Sequence, residues 1–400
     1  MNREDCLRLD AADPLAPLRA EFTVPDGLYL DGNSLGVLPR RTPAKIADLV
    51  ERQWGEGLIA SWNTEGWFER SQSLGDRVAP LIGAGPGEVV VCDSTSVNLF
   101  KTLAAALRLR PGRRVIVVER DTFPTDLYIA EGVAGLFPGV RMRELADGID
   151  EDVAVVLLSH TDYRTGAVHD MKAVTQEAHR HGALALWDLC HSAGALPVDL
   201  TGAEADFAVG CTYKYLNAGP GAPAFLYAAA RHHEAADQPL TGWFGHSRPF
   251  DFVPGYAPAQ GITRFLAGTP ALVAMAAVDA GLEIFESVDL AEVRAKSLAM
   301  TDLFIELTAG LPGVELVTPV PHERRGSQVS LRHPDAHAIV QALIARGVVG
   351  DFRAPDVMRF GFTPLYLRHV DVFDAAEALS EVIRDGAHRD PRFSARGKVT

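Results

Sequence analysis

Four hundred residues exceed what one compact core holds, and 47% apolar content is enough to bury a large sheet, so the composition predicts two domains of an ordinary globular protein. Lys and Arg number 38 against 52 Asp and Glu, a net charge of −14, and no basic run or aromatic–basic stripe appears, which argues against a nucleic-acid partner. The charged start MNREDCLRLD lacks the apolar stretch of a secretory signal, and no run approaches the roughly eighteen apolar residues of a membrane span. Cys6, Cys92, Cys190 and Cys211 show no C-x-x-C spacing. The expectation is a soluble, cytoplasmic chain with reduced thiols, no disulfide framework, no metal site and no membrane contact.

In chain order, DPLAPLRAEF reads as a short helix bracketed by prolines, and GLYLDGNSLGVLP turns sharply through glycines around the polar Asp31, Asn33 and Ser34. Thr42 to Glu56 has helical spacing and leads to WGEGLIASWNTEGWF, whose three tryptophans are read first as packing. The helix SLGDRVAPLIGA precedes GEVVVCDSTSVNLFKTLAAAL, a strand, a polar turn and a helix. Asp93, Ser94, Thr95 and Ser96 there offer hydroxyls and free N–H groups at a helix N-terminus, which suits a phosphate but also describes a plain cap. RRVIVVERDTFPTDLY gives another strand, followed by Phe123, an aromatic placed to lie flat on a planar ligand. EDVAVVLLSHTDYRTGAV repeats the pattern with Ser159, His160, Asp162 and Tyr163, and His160 by itself reads as a structural histidine.

The helix MKAVTQEAHRHG feeds the stretch on which the site rests. GALALWDLCHSAG is a buried parallel strand ending in Asp188, and ADFAVGCTY delivers Lys214 from a neighbouring strand 26 residues later. Open α/β sheets bind ligands at the carboxyl ends of their strands. A Schiff-base amine needs a desolvated site and a pyridinium nitrogen needs a carboxylate, and Lys214 and Asp188 meet those two demands. A surface lysine and a turn-capping aspartate are the bland alternative.

A Gly/Pro-rich turn, NAGPGAPAFLYA, precedes a final strand, and QPLTGWFGHSRPF reads as an irregular loop carrying Trp243 and His246. Beyond it, two long helical patterns lead to strands LPGVELVTP and GSQVSLRH, the helix DAHAIVQALIARG, a strand pair in VVGDFRAPDVMRFGFTPLY and a closing helix. This predicts an α/β chain: a large domain on a mostly parallel sheet and a smaller α+β C-terminal domain. The expected boundaries are an N-terminal segment at 1–60, the large domain at 61–268 and the small domain at 269–400. Arg359 sits mid-strand among apolar neighbours, where it either pairs with an acid or grips a substrate carboxylate.

Eight motifs, YLDGNSLG, STSVNLF, FPTDLY, WDLCHSAGALPVDL, TYKYLNAGPG, GWFGH, GTP and RFGFTPLY, run from Tyr29 to Tyr366. In this order they resemble the pyridoxal-phosphate (PLP) dependent transferase type I fold, in the aminotransferase class V group, and within it the kynureninase family. The resemblance implies PLP carried as an aldimine on Lys214, with Asp188 on the pyridine nitrogen and Phe123 stacked on the ring. It implies a phosphate held by Thr95, Ser96 and Tyr213, with Asp126, Ser159 and His191 completing the ring contacts. Trp243 and Thr269 match positions that reach in from a partner subunit, so a homodimer with shared active sites is expected. Arg359 matches the residue for the substrate α-carboxylate, and Ser34 and Trp62 match positions near its aromatic end. The implied reaction is hydrolysis of L-kynurenine to anthranilate and L-alanine, as in tryptophan catabolism, with 3-hydroxykynurenine the poorer substrate. Tyr213 is the candidate acid/base for later steps. Two other readings are another class V enzyme, a desulfurase or aminotransferase, and a non-catalytic scaffold. No cysteine follows Cys211 to serve a desulfurase, and a scaffold needs none of Lys214, Asp188 and Arg359.

Overall fold

The computed structural model describes residues 1–395 and 397. Short apolar runs rich in Val, Ile and Leu, bounded by polar turns, form the buried inner strands of the large sheet, as expected where helices cover both faces. The N-terminal part contributes α1 (Arg3–Ala11), β1 (Leu28–Tyr29), α2 (Thr42–Asp48), α3 (Ser61–Thr64) and α4 (Arg70–Val78). There follow β2 (Val89–Val91), α5 (Thr95–Leu109), β3 (Val115–Val118), α6 (Pro124–Leu136), β4 (Arg141–Glu144) and β5 (Val153–Ser159). Next come α7 (Met171–Arg180), β6 (Leu184–Asp188), β7 (Phe207–Gly210) and β8 (Phe225–Ala228). The seven-stranded sheet has the order β2-β8-β7-β6-β5-β3-β4, and β8 alone runs against its neighbours.

Past α8 (Leu272–Phe285) and α9 (Leu290–Thr308), the chain forms β9 (Glu315–Leu316), β10 (Gln328–Arg332), α10 (Ala336–Ile344), β11 (Val348–Val349), β12 (Asp351–Arg353), β13 (Val357–Gly361) and α11 (His369–Arg384). An antiparallel sheet of order β12-β13-β10-β9 packs with these helices, so this part is α+β as read. β1 pairs in parallel with β11, and this joins the N-terminal segment to the C-terminal part. No helix among the described residues is long and apolar enough to cross a membrane.

Three elements differ from the sequence expectation. DPLAPLRAEF forms a 3-10 turn over Ala16–Glu21 instead of an α-helix, since Pro17 has no N–H to give. The longer helix lies before it, where the Asn2 and Asp5 side chains make a capping box at the start of α1. β4, RMRE, lies at the sheet edge, half-exposed and without apolar alternation, so its sequence carried no strand signal.

At the opposite end of the strands from the ligand rim, Asp206 is buried just before β7. It accepts from His179 Nε2 (2.8 Å), His232 Nε2 (2.7 Å), Arg231 Nη2 (2.8 Å) and the Ala185 N–H (2.7 Å). Burial disfavours its charge, but the hydrogen bonds from His179 and His232 outweigh it and hold the carboxyl well below the usual range. A depressed carboxyl stabilises the fold above its unfolded pKa of about 3.9, and that stability is lost as pH falls below it. Asp206→Asn is therefore expected to cost about 3 to 5 kcal/mol near neutral pH, because four donors lose a charged partner. The gap to the parent protein should narrow as denaturant melts are repeated toward pH 3, and a constant gap would contradict the assignment.

Candidate active site

Strand polarity builds the site. β2, β3, β5, β6 and β7 all end on one rim, and residues just beyond each end face a common cleft. In register, Asp188 at the end of β6 pairs with Ser159 of β5 and with Val209 of β7. The chain leaving β7 then turns to present Lys214, and Thr212 Oγ1 anchors this turn on the Pro223 carbonyl at 2.6 Å. From the N-terminal segment, the Gly36 N–H donates to the Tyr213 carbonyl at 2.8 Å. A Cβ at Gly36 would meet the Lys214 carbonyl at 2.3 Å, so only glycine lets this loop lie against the lysine turn.

Lys214 Nζ stands 2.9 Å from His191 Nε2 and 5.9 Å from the ring centroids of both Phe123 and Tyr213. Burial, and then the Lys214 charge, push the His191 pKa well down. A neutral ring that accepts from Lys214 carries its own proton on Nδ1, and that buried atom has no partner among the described residues. Asp188 Oδ1 accepts from the Cys190 N–H at 2.8 Å. Behind it lies the buried Asp126, reached from Ser159 Oγ at 3.5 Å, while Ser159 also meets Thr122 Oγ1 at 3.0 Å. Burial first, and the nearby Asp188 second, raise the Asp126 pKa well above the ordinary carboxyl range.

The Ser94 hydroxyl caps α5 by accepting from the Val97 N–H at 3.3 Å, so Thr95 and Ser96 occupy the first turn, whose N–H groups have no intrahelical acceptor. A cavity of about 430 Å³ opens there, lined by Thr95, Ser96, Tyr213, Gly268 and Thr269. The Tyr213 phenol is pushed up by the neighbouring Cys211 sulfur and by burial, so it keeps its proton. The expected structural role of His160 holds: it is buried against Trp187 and bonded to Ser192 Oγ at 3.0 Å, and burial lowers its pKa to about 4.

Arg359, on β13, is buried and fully engaged. Nε donates to Asp351 Oδ1 at 2.7 Å, Nη2 to Asp351 Oδ2 and to Ser34 Oγ at 3.2 Å, and Nη1 to the Tyr163 carbonyl at 2.5 Å. Of the two readings of this arginine, the structure shows the acid's partner, Asp351. Tyr163 bridges to the lysine side: its ring lies 5.3 Å from Phe123, and the Arg359 guanidinium lies 5.8 Å over it. Lys214, Phe123, Tyr163 and Arg359 therefore follow one another in a continuous chain of ring contacts.

Trp62 and Trp243 lie elsewhere in the chain. They pack against each other at 6.2 Å and line a separate cavity of about 470 Å³ with Ile59, Asn63, Phe250 and Phe252. Within one chain, Trp62 is therefore a member of an aromatic cluster with Trp67 and Phe244. Asp351, Arg353 and the Tyr163 carbonyl were not singled out in the sequence. The one available signal was a half-buried arginine in search of an acid, and Asp351 sits directly across the β12–β13 hairpin from it.

A family model described as the Kynureninase C-terminal domain matches residues 293–379. A kynureninase from Burkholderia pseudomallei (strain 1106a) is 54% identical over all of this chain and 99% of its own length. The chain belongs to the kynureninase family. A second family member, from Pseudomonas fluorescens, is 52% identical over the same share of each chain. Among solved structures, a C-DES mutant with glycine covalently linked to its PLP cofactor superposes with a TM-score of 0.79 at 20% identity, over 91% of this chain and 99% of that one. The cysteine desulfurase CsdA from Escherichia coli gives 0.77 at 19% identity, over 92% and 98%. At such identity these two share the fold, while the kynureninases align with the chain over its whole length.

Proposed function

We propose that this chain hydrolyses L-kynurenine at its β,γ carbon–carbon bond, giving anthranilate and L-alanine, with PLP bound at the strand rim. The observation that carries the reading is the continuous line from Lys214 through Phe123 and Tyr163 to Arg359, with Asp188 at the adjacent strand end. The residues fit the cofactor. The free first turn of α5 suits a phosphate, Phe123 is half-exposed and able to cover a ring, and the unpartnered His191 Nδ1 seeks an acceptor.

When bound, PLP supplies the electron sink for loss of the Cα proton and for the cleavage that follows. Lys214 would hold it covalently through Nζ and, once freed, move the Cα proton. Asp188 would keep the ring nitrogen protonated, with Asp126 and Ser159 fixing the surroundings of that carboxylate. Thr95 and Ser96 would hold the phosphate together with Tyr213, whose retained proton also suits it to donate to the side-chain oxygen after water adds to the ketone. Arg359 takes the α-carboxylate, and Ser34, bonded to both Asp351 and Arg359, steadies that fork.

Trp62 and Trp243 enter this reading through a second copy of the chain, whereas Thr269 already lines the cavity beside Thr95 and Ser96 within one copy. Ile59 is 80% and Phe252 82% exposed beside Trp62 and Trp243, an apolar surface that a homodimer would cover while bringing the aromatic cluster to its partner's substrate ring. The proposed architecture is an N-terminal segment (1–60), a cofactor domain (61–268) and a small domain (269–400) that supplies Arg359.

The test is an assay of purified protein with L-kynurenine and with 3-hydroxykynurenine. Equimolar anthranilate and alanine, with higher kcat/KM for kynurenine, is expected. Release of sulfide from cysteine, or transamination with no anthranilate, would refute the reading. Arg359→Lys should weaken kynurenine binding by about 1.5 to 3 kcal/mol, the scale of a charged hydrogen bond, with PLP content retained. Loss of cofactor in that variant would make Arg359 a purely structural residue.

A further inference from the structure

We propose that the carboxylate-binding end of the site takes up one proton with its ligand, and that Asp31 is the acid that receives it. The inference rests on Arg359 as the carboxylate site and adds to it a group that sets the charge there.

Four charged side chains meet at this point. Asp351 holds Arg359 through two nitrogens and Arg353 Nη2 at 2.7 Å, so it serves both cations. Asp31 has no such partner. Its loop is pinned to β13, because the Gly361 N–H donates to the Leu30 carbonyl at 2.7 Å and Asp31 bridges Gly361. Close packing fixes the approach: a Cβ at Gly32 would meet Thr363 Oγ1 at 2.3 Å, and one at Gly361 would meet Asn33 Oδ1 at 2.1 Å. In that position Asp31 Oδ1 is buried and has no hydrogen-bond partner among the described residues. The other titratable groups around it are Tyr29 on β1, Asp351 and Arg353 on β12, Arg359 on β13, and Tyr215 and Tyr366. Burial holds all three phenols protonated.

The charges then decide the matter. With both aspartates ionised, two cations face two anions, and the cluster offers nothing net to an arriving carboxylate. A protonated Asp31 leaves one positive charge, which the ligand neutralises. Asp351 cannot be the protonated member, since its two arginines hold its carboxyl below the usual range even against burial. Asp31 is pushed the other way, up to about 7, by burial first and by the charge of Asp351 second. Burial and Asp351 outweigh the Ser34 hydrogen bond and the pull of Arg359 and Arg353, and a proton on Asp31 relieves the buried Oδ1 of its charge.

The linkage has a definite sign. Below about pH 6 Asp31 is already protonated, and binding takes up no proton. Above about pH 7 each bound carboxylate must bring one proton with it, and affinity falls about tenfold per pH unit. The probe is 3-benzoylpropanoate, a substrate-shaped carboxylate with no amine to react. It is titrated calorimetrically into holoenzyme in buffers of different ionisation enthalpy, at pH 6 and pH 8. The parent enzyme should take up close to one proton per ligand at pH 8 and almost none at pH 6. Asp31→Asn should take up none at either pH and bind equally well at both.

Absence of uptake by the parent enzyme at pH 8 overturns the proposal, and this arm stands even should the variant fail to fold. Undiminished uptake in Asp31→Asn assigns the proton to another group and overturns it too. Arg359→Lys in the same titration tests the premise separately. Unchanged affinity at pH 6 in that variant would remove Arg359 as the carboxylate site, whereas the expected loss there, with no proton uptake by the parent, refutes Asp31 alone.

Discussion

Lys214→Ala is expected to lower kcat by more than about 10⁴-fold, the largest single effect in this protein. Proton transfer by one positioned group contributes about 10² to 10⁴, and the substitution removes covalent attachment as well. Its surroundings show why no neighbour substitutes. His191, 2.9 Å away, is held neutral by burial and by the lysine itself, and the Tyr213 phenol is pushed up, away from the range of a base. The protein should fold normally, because Lys214 packs at a half-buried turn that Thr212 and Asn217 hold through backbone contacts. Single-turnover and steady-state assays on the variant check this, and residual turnover within tenfold of the parent would contradict it.

Asp188→Asn is expected to cost about 10² to 10⁴ in kcat, the range for loss of one preorganised electrostatic group. The change nearly preserves shape, and an amide oxygen can still accept from the Cys190 N–H. What goes is the negative charge at the end of β6. Asp126 does not replace it cheaply, since burial alone already disfavours its ionised form. Near-normal kcat with full PLP content would exclude Asp188 from the ring nitrogen.

The large sheet was legible because its strands are buried on both faces and read as continuous apolar runs, each closed by a polar corner. LALWD and FAVG show this, and the rim follows from their polarity. Lys214 and Asp188 were legible for the same reason: both sit just where such a run meets the cleft. The small sheet was harder. Arg359 announced itself as a charge inside VMRFG, but its partner depended on the register of the β12–β13 hairpin, which spacing alone does not fix. Asp31 was visible as part of a polar loop. Its lack of a partner is a property of packing against β13, set by Gly32 and Gly361, and no local pattern encodes it. Trp62 illustrates the opposite difficulty, for within one chain it belongs to an aromatic cluster, and only a second copy gives it a place near substrate.

The most direct test of the central claim is to reduce the purified yellow protein with borohydride, digest it and locate the pyridoxyl group by mass spectrometry. The account predicts a single labelled peptide, modified at Lys214. A label on any other lysine, or none on protein that still cleaves kynurenine, would contradict it.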